Sequence, residues 1–263
     1  TVCIIIAITG GNDKPAHARH SFLIVPMNSP GVTVVRPLHV FGYDDAPGGH
    51  AETHFSNVVL GSDMLLGEEG TGFALAQSRL GPGRLHHCCR LLGHSERALQ
   101  EVIRRGTQRR AFGKVLLDLG ANHEKLALCR VSLRQAELTA MDAAHELDRY
   151  DELVSRQHRE NPSAVQQLGR LPSKAIRALA ICKIGVPRTA QECLDFAIQV
   201  HGGGGLSADH PLAGMWAAAR TLRVVDGPDE VHIQGLGKDE RKKQLLLLGK
   251  GQQSHPGIGS PKL

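Results

Sequence analysis

The 263 residues are 41% hydrophobic, 22% charged and 3% aromatic, a globular balance that excludes a disordered chain, and the 30 Gly and 13 Pro show no collagen-like period. No apolar run approaches the roughly 18 residues of a membrane span, and Thr1–Thr9 is too short, and lacks the basic flank, for a signal peptide. The net charge of +5 arises from scattered, often acid-paired cations, as in Lys238–Lys243. That reads as a solvated surface rather than a nucleic-acid face, and it leaves room for a basic pocket holding an anionic ligand. The six cysteines have no CxxC spacing and read as buried, reduced thiols of an intracellular protein.

In chain order, the first 70 residues carry β signals. Cys3–Thr9 and Ser21–Pro26 are apolar runs of strand length. Val32–Arg36 follows a Ser-Pro-Gly turn, and Glu52–Leu60 follows the loop Asp44–His50. Four such strands make part of an antiparallel barrel or sandwich. A strand that begins almost at Thr1 reads as a β domain entered in its middle, as in an N-terminally shortened chain.

From Gly70 the pattern is helical. Gly72–Leu80 predicts a short helix, ended by Gly81-Pro82-Gly83 because Pro lacks the amide donor and Gly disfavours helix. Arg84–Arg105 predicts a longer one. Ala121–Tyr150 has no Gly or Pro, and Leu126, Cys129, Leu133, Ala136, Ala140, Ala144 and Leu147 recur at three- and four-residue spacing. That is one buried face of a helix about 45 Å long. Ser173–Val200 is a third, which Pro187 ends or kinks, and Val231–Leu248 a fourth. Four such helices predict one up-and-down bundle. The polar stretch Asp151–Pro172 reads as an inserted loop with a helical turn at Ala164–Leu168, and residues 249–263 as a disordered tail. The expected organisation is a partial β domain over residues 1–69 and a helical bundle over residues 70–248.

Four motifs carry possible chemistry. Gln199–Gly205 ends in four glycines, which lets backbone amides approach a ligand, although a plain helix stop needs only one. Arg109–Lys114 (RRAFGK) suits a pyrophosphate beside a ring, or equally a basic helix end with Gly113 in a turn. Asp226, Asp229 and Glu230 surround a Gly-Pro turn before a helix. Each is a candidate base, or an ordinary N-terminal carboxylate of that helix. In His86-His87-Cys88-Cys89, successive side chains diverge by about 100° and cannot converge on one metal ion, so helix packing is preferred.

These motifs in this order resemble the acyl-CoA dehydrogenase family. Glu52–Phe73 is similar to its last middle-domain strand and first C-terminal helix. Gly83-Arg84, Gln108–Lys114, Gln199–Gly205 with Asp209 and Pro211, and Asp226-Gly227 fall at its spacing. Ser78–Arg84 (SRLGPGR), Ala46–His50 (APGGH) and Asp226–His232 (DGPDEVH) look most like the branch of family members 10 and 11.

The resemblance implies a mainly α fold with a partial antiparallel β domain and a C-terminal four-helix bundle. It implies FAD as cofactor, an acyl-CoA substrate and a homodimer or homotetramer, with electron-transfer flavoprotein as acceptor in mitochondria. Arg109 and Phe112 match residues that hold the flavin dinucleotide across a dimer interface. Gln199, Gly202 and Gly203 match contacts to its ADP portion, expected from a different subunit than Arg109. Arg84 matches a residue near the acyl-CoA. Asp226 stands where most members have the catalytic Glu, followed by Gly227 in the substrate site, and Pro228 replaces a flavin-bonding Thr. The family's Trp-Ile-Thr/Ser stretch over the flavin is not found before Cys3. That favours a rival reading, a non-catalytic bundle that associates with full-length subunits. The expected compartment is mitochondrial or peroxisomal. Thr1–Thr9 offers no targeting signal, and Ser260–Leu263 departs from the Ser-Lys-Leu address by a Pro.

Overall fold

The computed structural model describes residues 1–44, 48–160 and 171–253. It is mainly helical with small antiparallel sheets. Strand β1 (Val2–Ile8) pairs antiparallel with β2 (His20–Pro26), from Val2↔Pro26 to Ile8↔His20. β3 (Val32–Leu38) pairs with β4 (His50–Phe55), with a register shift between Val34 and Arg36. The two-residue β5 (Leu65–Leu66) adds to β2. β4 therefore ends five residues before the expected Leu60. Asn57 takes a left-handed φ of 52°, which turns the chain out of the sheet and leaves Val59 exposed.

The strands seat on the helices at two points. Ser21 Oγ accepts the Gly70 N–H at 2.9 Å just before helix α1 (Gly72–Gln108). A Cβ at Gly72 would lie 2.9 Å from Ser21 Cα, so β2 rests on the helix end. Farther on, Phe41 stands edge-on to Trp216, with ring centres 6.1 Å apart. That contact brings the β3–β4 connection over α5 (Leu212–Thr221) and roofs the cleft described below.

Helix α1 does not break at Gly81-Pro82-Gly83 but runs through it. A proline inside a helix costs about 3 kcal/mol; here packing on both flanking glycines offsets it. Gly81 is buried where a Cβ would meet Leu171 Cδ1 at 2.8 Å, and Gly83 faces the Asp226 carboxylate. The hairpin of β6 (Arg110–Ala111) and β7 (Lys114–Val115) follows, with Phe112 and Gly113 both at positive φ, as a tight two-residue turn requires.

Helix α2 (Asn122–Glu160) is unbroken and ends ten residues beyond the expected Tyr150, so residues 151–160 of the presumed loop are helical. Arg156–Glu160 and Arg149–Glu146 pairs at helical spacing support that end. The rest of the presumed loop up to residue 170, with its turn at Ala164–Leu168, lies outside the described residues. The buried stripe is Leu133, Ala136, Ala140, Ala143 and Leu147, and it passes through Ala143 rather than Ala144.

Helix α3 (Ser173–His201) continues through the buried Pro187 and packs against α1, α2, α5 and the last long helix, α6 (Asp229–Gln253). Cys182, Val186, Ala190, Cys193, Leu194 and Ala197 of α3 meet Cys88, Leu91, Leu99 and Val102 of α1 and the α2 stripe in one core. Small residues on α3 let its neighbours approach closely, which gives the dense packing of a helical core. α6 joins through Arg177 and Asp239, whose Nε–Oδ2 bond is 2.8 Å, while Leu245–Leu248 point outward. It extends past Leu248 to Gln253, so the first five residues of the presumed tail are helical; residues 254–263 lie outside the described residues. All six cysteines are free thiols, with Cys88, Cys182 and Cys193 buried and Cys89 exposed. No described helix is long and apolar enough to cross a membrane.

Candidate active site

After α5 the chain makes about one more turn over Leu222–Val225 and then reverses at Asp226 and Gly227, with φ of 56° and 101°. Asp tolerates the left-handed region better than most residues, and Gly does so freely. The reversal is held from several elements. Arg84 Nε on α1 donates to the Asp226 carbonyl at 2.8 Å. Lys183 on α3, fully buried, donates to the Leu222 carbonyl and, at 3.4 Å, to that of Gly227. Burial pulls the Lys183 pKa below its usual value, and the Asp229 and Asp226 carboxylates resist that pull.

The three rival carboxylates occupy different surroundings. Asp226 lines a cleft of about 790 Å³, and its Oδ2 lies 3.0 Å from His87 Nε2. Asp229 is 2% exposed and turned inward, where its Oδ2 accepts from Arg223 Nε at 2.9 Å and from Arg188 at 3.2 Å. Arg223 also reaches Gln191 Oε1 at 3.0 Å. Glu230 is exposed in the first turn of α6. Of the three, Asp226 is the one that lines the cleft.

One face of α1 supplies much of the cleft wall. His87, Arg90, Leu91 and His94 line it, with Arg79 one turn beyond the glycines, while Tyr43 and His50 close it from the β side. Burial, and next the Arg90 charge, hold the pKa values of His87 and His94 below the usual imidazole value. Arg84 does not reach the open cleft and instead serves the backbone of Asp226. Gly227 has its own reason: a Cβ there would lie 2.8 Å from His232 Nε2. The sequence reading missed His87, Arg90 and Lys183. The first two were legible as a polar i, i+3 series continuing from Arg84; Lys183, from a separate helix, had no local signal.

A second groove, about 390 Å³, is lined by Arg105, Arg109, Gln199, His201 and Gly202. One chain thus brings Arg109 and Gly202 onto the same groove, where the resemblance led to the expectation that they serve a flavin from different subunits. The β6–β7 hairpin folds back so that Leu116 N donates to Arg109 O at 2.8 Å, and α3 ends beside it at Gly202, with φ of 62°. Nothing lies within 4 Å of where a Cβ of Gly202 or Gly203 would sit, which leaves this backbone open to a ligand. Gly203 begins the short helix α4 (Gly203–Leu206) at the rim. Arg105 Nε is buried with no hydrogen-bond partner among the described residues, as an anion-binding donor would be. Phe112 is not in the groove; it projects from the hairpin tip, 96% exposed.

The helical bundle thus carries a carboxylate at a positive-φ turn over one cleft and a cationic, glycine-edged groove where α3 ends. The sequence profile described as "Acyl-CoA dehydrogenase, C-terminal domain" matches residues 70–239. This chain belongs to the acyl-CoA dehydrogenase family. It is 43% identical over 249 residues to acyl-CoA dehydrogenase family member 11 of Gallus gallus, covering 94% of this chain and 29% of that protein. It is 42% identical over 247 residues to family member 10 of Mus musculus, covering 93% and 21%. A solved structure of this family from Mycobacterium abscessus superposes with a TM-score of 0.80 at 42% identity, covering 92% of this chain and 55% of that one. The butyryl-CoA dehydrogenase of Megasphaera elsdenii shares the fold, at a TM-score of 0.71 and 24% identity over 90% of this chain and 55% of that one. The chain thus spans under a third of the curated relatives named here and about half of these solved chains.

Proposed function

We propose that this chain carries the base and the ADP-binding groove of an FAD-dependent acyl-CoA dehydrogenase, which desaturates an acyl-CoA thioester between its α and β carbons in fatty-acid oxidation. The carrying observation is that Asp226 alone of three neighbouring carboxylates opens on the large cleft, at a turn braced by Arg84 and Lys183. Its carboxylate accepts the α proton, a transfer typically worth about 10²–10⁴ in rate. Asp is one methylene shorter than the family's Glu, so its backbone must be held firmly; a misplacement of about 1 Å can cost about 10²-fold. The left-handed turn and its two cationic braces do that holding.

The second groove fits the cofactor's diphosphate. Arg109 and the orphan donor of Arg105 supply positive charge, and the open backbone at Gly202 and Gly203 lets amides approach. When bound, FAD supplies the acceptor for the β-carbon hydride, chemistry that no side chain provides. Gln199, on the same groove, would help hold the ADP portion, and the exposed Phe112 would reach toward a neighbouring copy in a homodimer or homotetramer. Electron-transfer flavoprotein is the expected acceptor if the protein is mitochondrial; a peroxisomal site is the other expectation.

The test is solvent exchange of the α proton of a saturated acyl-CoA in the flavin-bound protein. Asp226→Asn is expected to abolish exchange while flavin stays bound, as read from its visible absorption. Exchange that survives in Asp226→Asn but is lost in Glu230→Gln would assign the base to Glu230. A second reading, a non-catalytic bundle that associates with longer subunits, draws on the outward Val2, Ile4, Ile6 and Ile8 of β1 and Leu128, Val131, Leu138 and Met141 of α2. Stable association with no flavin absorption would favour it.

A further inference from the structure

We infer that His87 is a positioning residue for the base, locked by Arg90 into the tautomer that donates to Asp226. The inference rests on the reading of Asp226 as the base.

Both ring nitrogens of His87 are engaged. Arg90 reaches Nδ1 with a guanidinium N–H, and Nε2 lies 3.0 Å from Asp226 Oδ2. A guanidinium has no acceptor, so Nδ1 must present its lone pair and the ring proton must sit on Nε2. The chain of donors then runs in one direction, from Arg90 to Nδ1 and from Nε2–H to Oδ2. A doubly protonated ring would set an N–H of its own against that of Arg90. The two residues lie three apart on α1, so their spacing is set by the helix, and the acceptor is a turn braced by Arg84 from the same helix.

The consequence is a choice between the two oxygens of one carboxylate. Oδ2 is capped by His87, which leaves Oδ1 with its lone pairs for the α proton. The bond to carbon breaks, its electron pair stays with the substrate, and the proton arrives on Oδ1. The charged and titratable groups around the imidazole are Arg90 on its own helix, Lys183 on α3 and Asp226 on the turn; Arg79, His94, His50 and Asp44 line the same cleft. Burial first, and then Arg90 and Lys183, disfavour a second proton on His87 against the opposing pull of Asp226.

Nitrogen-15 NMR of the histidines of this chain tests the lock without any turnover. The expected result is a neutral His87 with its proton on Nε2, persisting below the ordinary imidazole value of about 6.5. Arg90→Gln is expected to weaken the lock and let His87 take up a proton at higher pH. An Nδ1–H tautomer, or a His87 in the unaltered chain that takes up its second proton at about pH 6.5 or above, would overturn the inference. In the flavin-bound protein, His87→Leu is expected to slow α-proton exchange about 10- to 100-fold, as for loss of a hydrogen bond to a charged group. His87→Gln, whose side-chain N–H can reach the same oxygen, is expected to restore most of it and return the pH profile. Equal losses in both variants would also overturn it. Failure of the underlying reading is separately visible, since Asp226→Asn would then leave exchange intact whatever His87 does.

Discussion

Asp226 and Asp229 stand three residues apart at the same turn and have opposite surroundings. Asp226 sits at the tip, at positive φ, partly open, with a histidine on one oxygen. Asp229 opens α6 from inside the protein, with Arg188 and Arg223 on one oxygen and the other buried with no partner among the described residues. A carboxylate in a cleft can gain and lose a proton with little effect on the fold. One that is itself buried against two arginines and near the buried Lys183 cannot, because protonating or removing it breaks that pairing. The turn separates the two tasks by reversing the chain between them.

The comparison can be broken by neutralising each in turn. Asp226→Asn is expected to lower α-proton exchange by about 10²–10⁴ and to leave the urea midpoint nearly unchanged. Asp229→Ala is expected to do the reverse, costing about 1–3 kcal/mol in urea unfolding, because Arg188 and Arg223, themselves partly exposed to screening water, and the buried Lys183 lose their counter-charge. If Asp226→Asn were the more destabilising, the assignment of roles would be inverted.

Gly227→Ala sharpens the point, since it alters the reversal without touching either carboxylate. Its φ of 101° and the His232 ring 2.8 Å from the added Cβ predict a loss of about 1–3 kcal/mol, with exchange reduced alongside. The smallest effect is that of pH. His232 and His94 are held below the usual imidazole value, first by burial, then by Arg84 and Lys183 at His232 and by Arg90 at His94. The unfolded chain therefore binds more protons in acid than the folded one. Stability from these groups is full above about pH 6.5, the unfolded value, and is lost as pH falls through the lower folded values. Thermal midpoints should decline on that acid limb, and His94→Gln should flatten it slightly.

Elements governed by local pattern were legible. The α2 stripe follows from three- and four-residue spacing alone, and β1–β3 from short apolar runs between turn residues. Asp226 could be singled out only together with its rivals, because a Gly-Pro turn before a helix attracts carboxylates for capping as readily as for catalysis. What misled the reading was punctuation: Pro82 with its flanking glycines, and Pro187, look like helix stops, yet both helices continue.

The chain's own order of residues determined that long helices would form, which faces they would bury, and which residue types would gather at the Asp226 turn and at the glycine run Gly202–Gly205. These depend on neighbours within one or two turns. Only the tertiary structure decided which carboxylate meets the cleft, that Arg109 and Gly202 share a groove, and that His87 answers to Asp226. Those outcomes depend on contacts between residues far apart in the chain, such as Arg109 with Gly202, or Arg84 with Asp226 across 142 positions. A proline deep in a helix is tolerable for the same reason: the energy that decides its fate comes from the surfaces packed around it, and a local pattern carries no record of them.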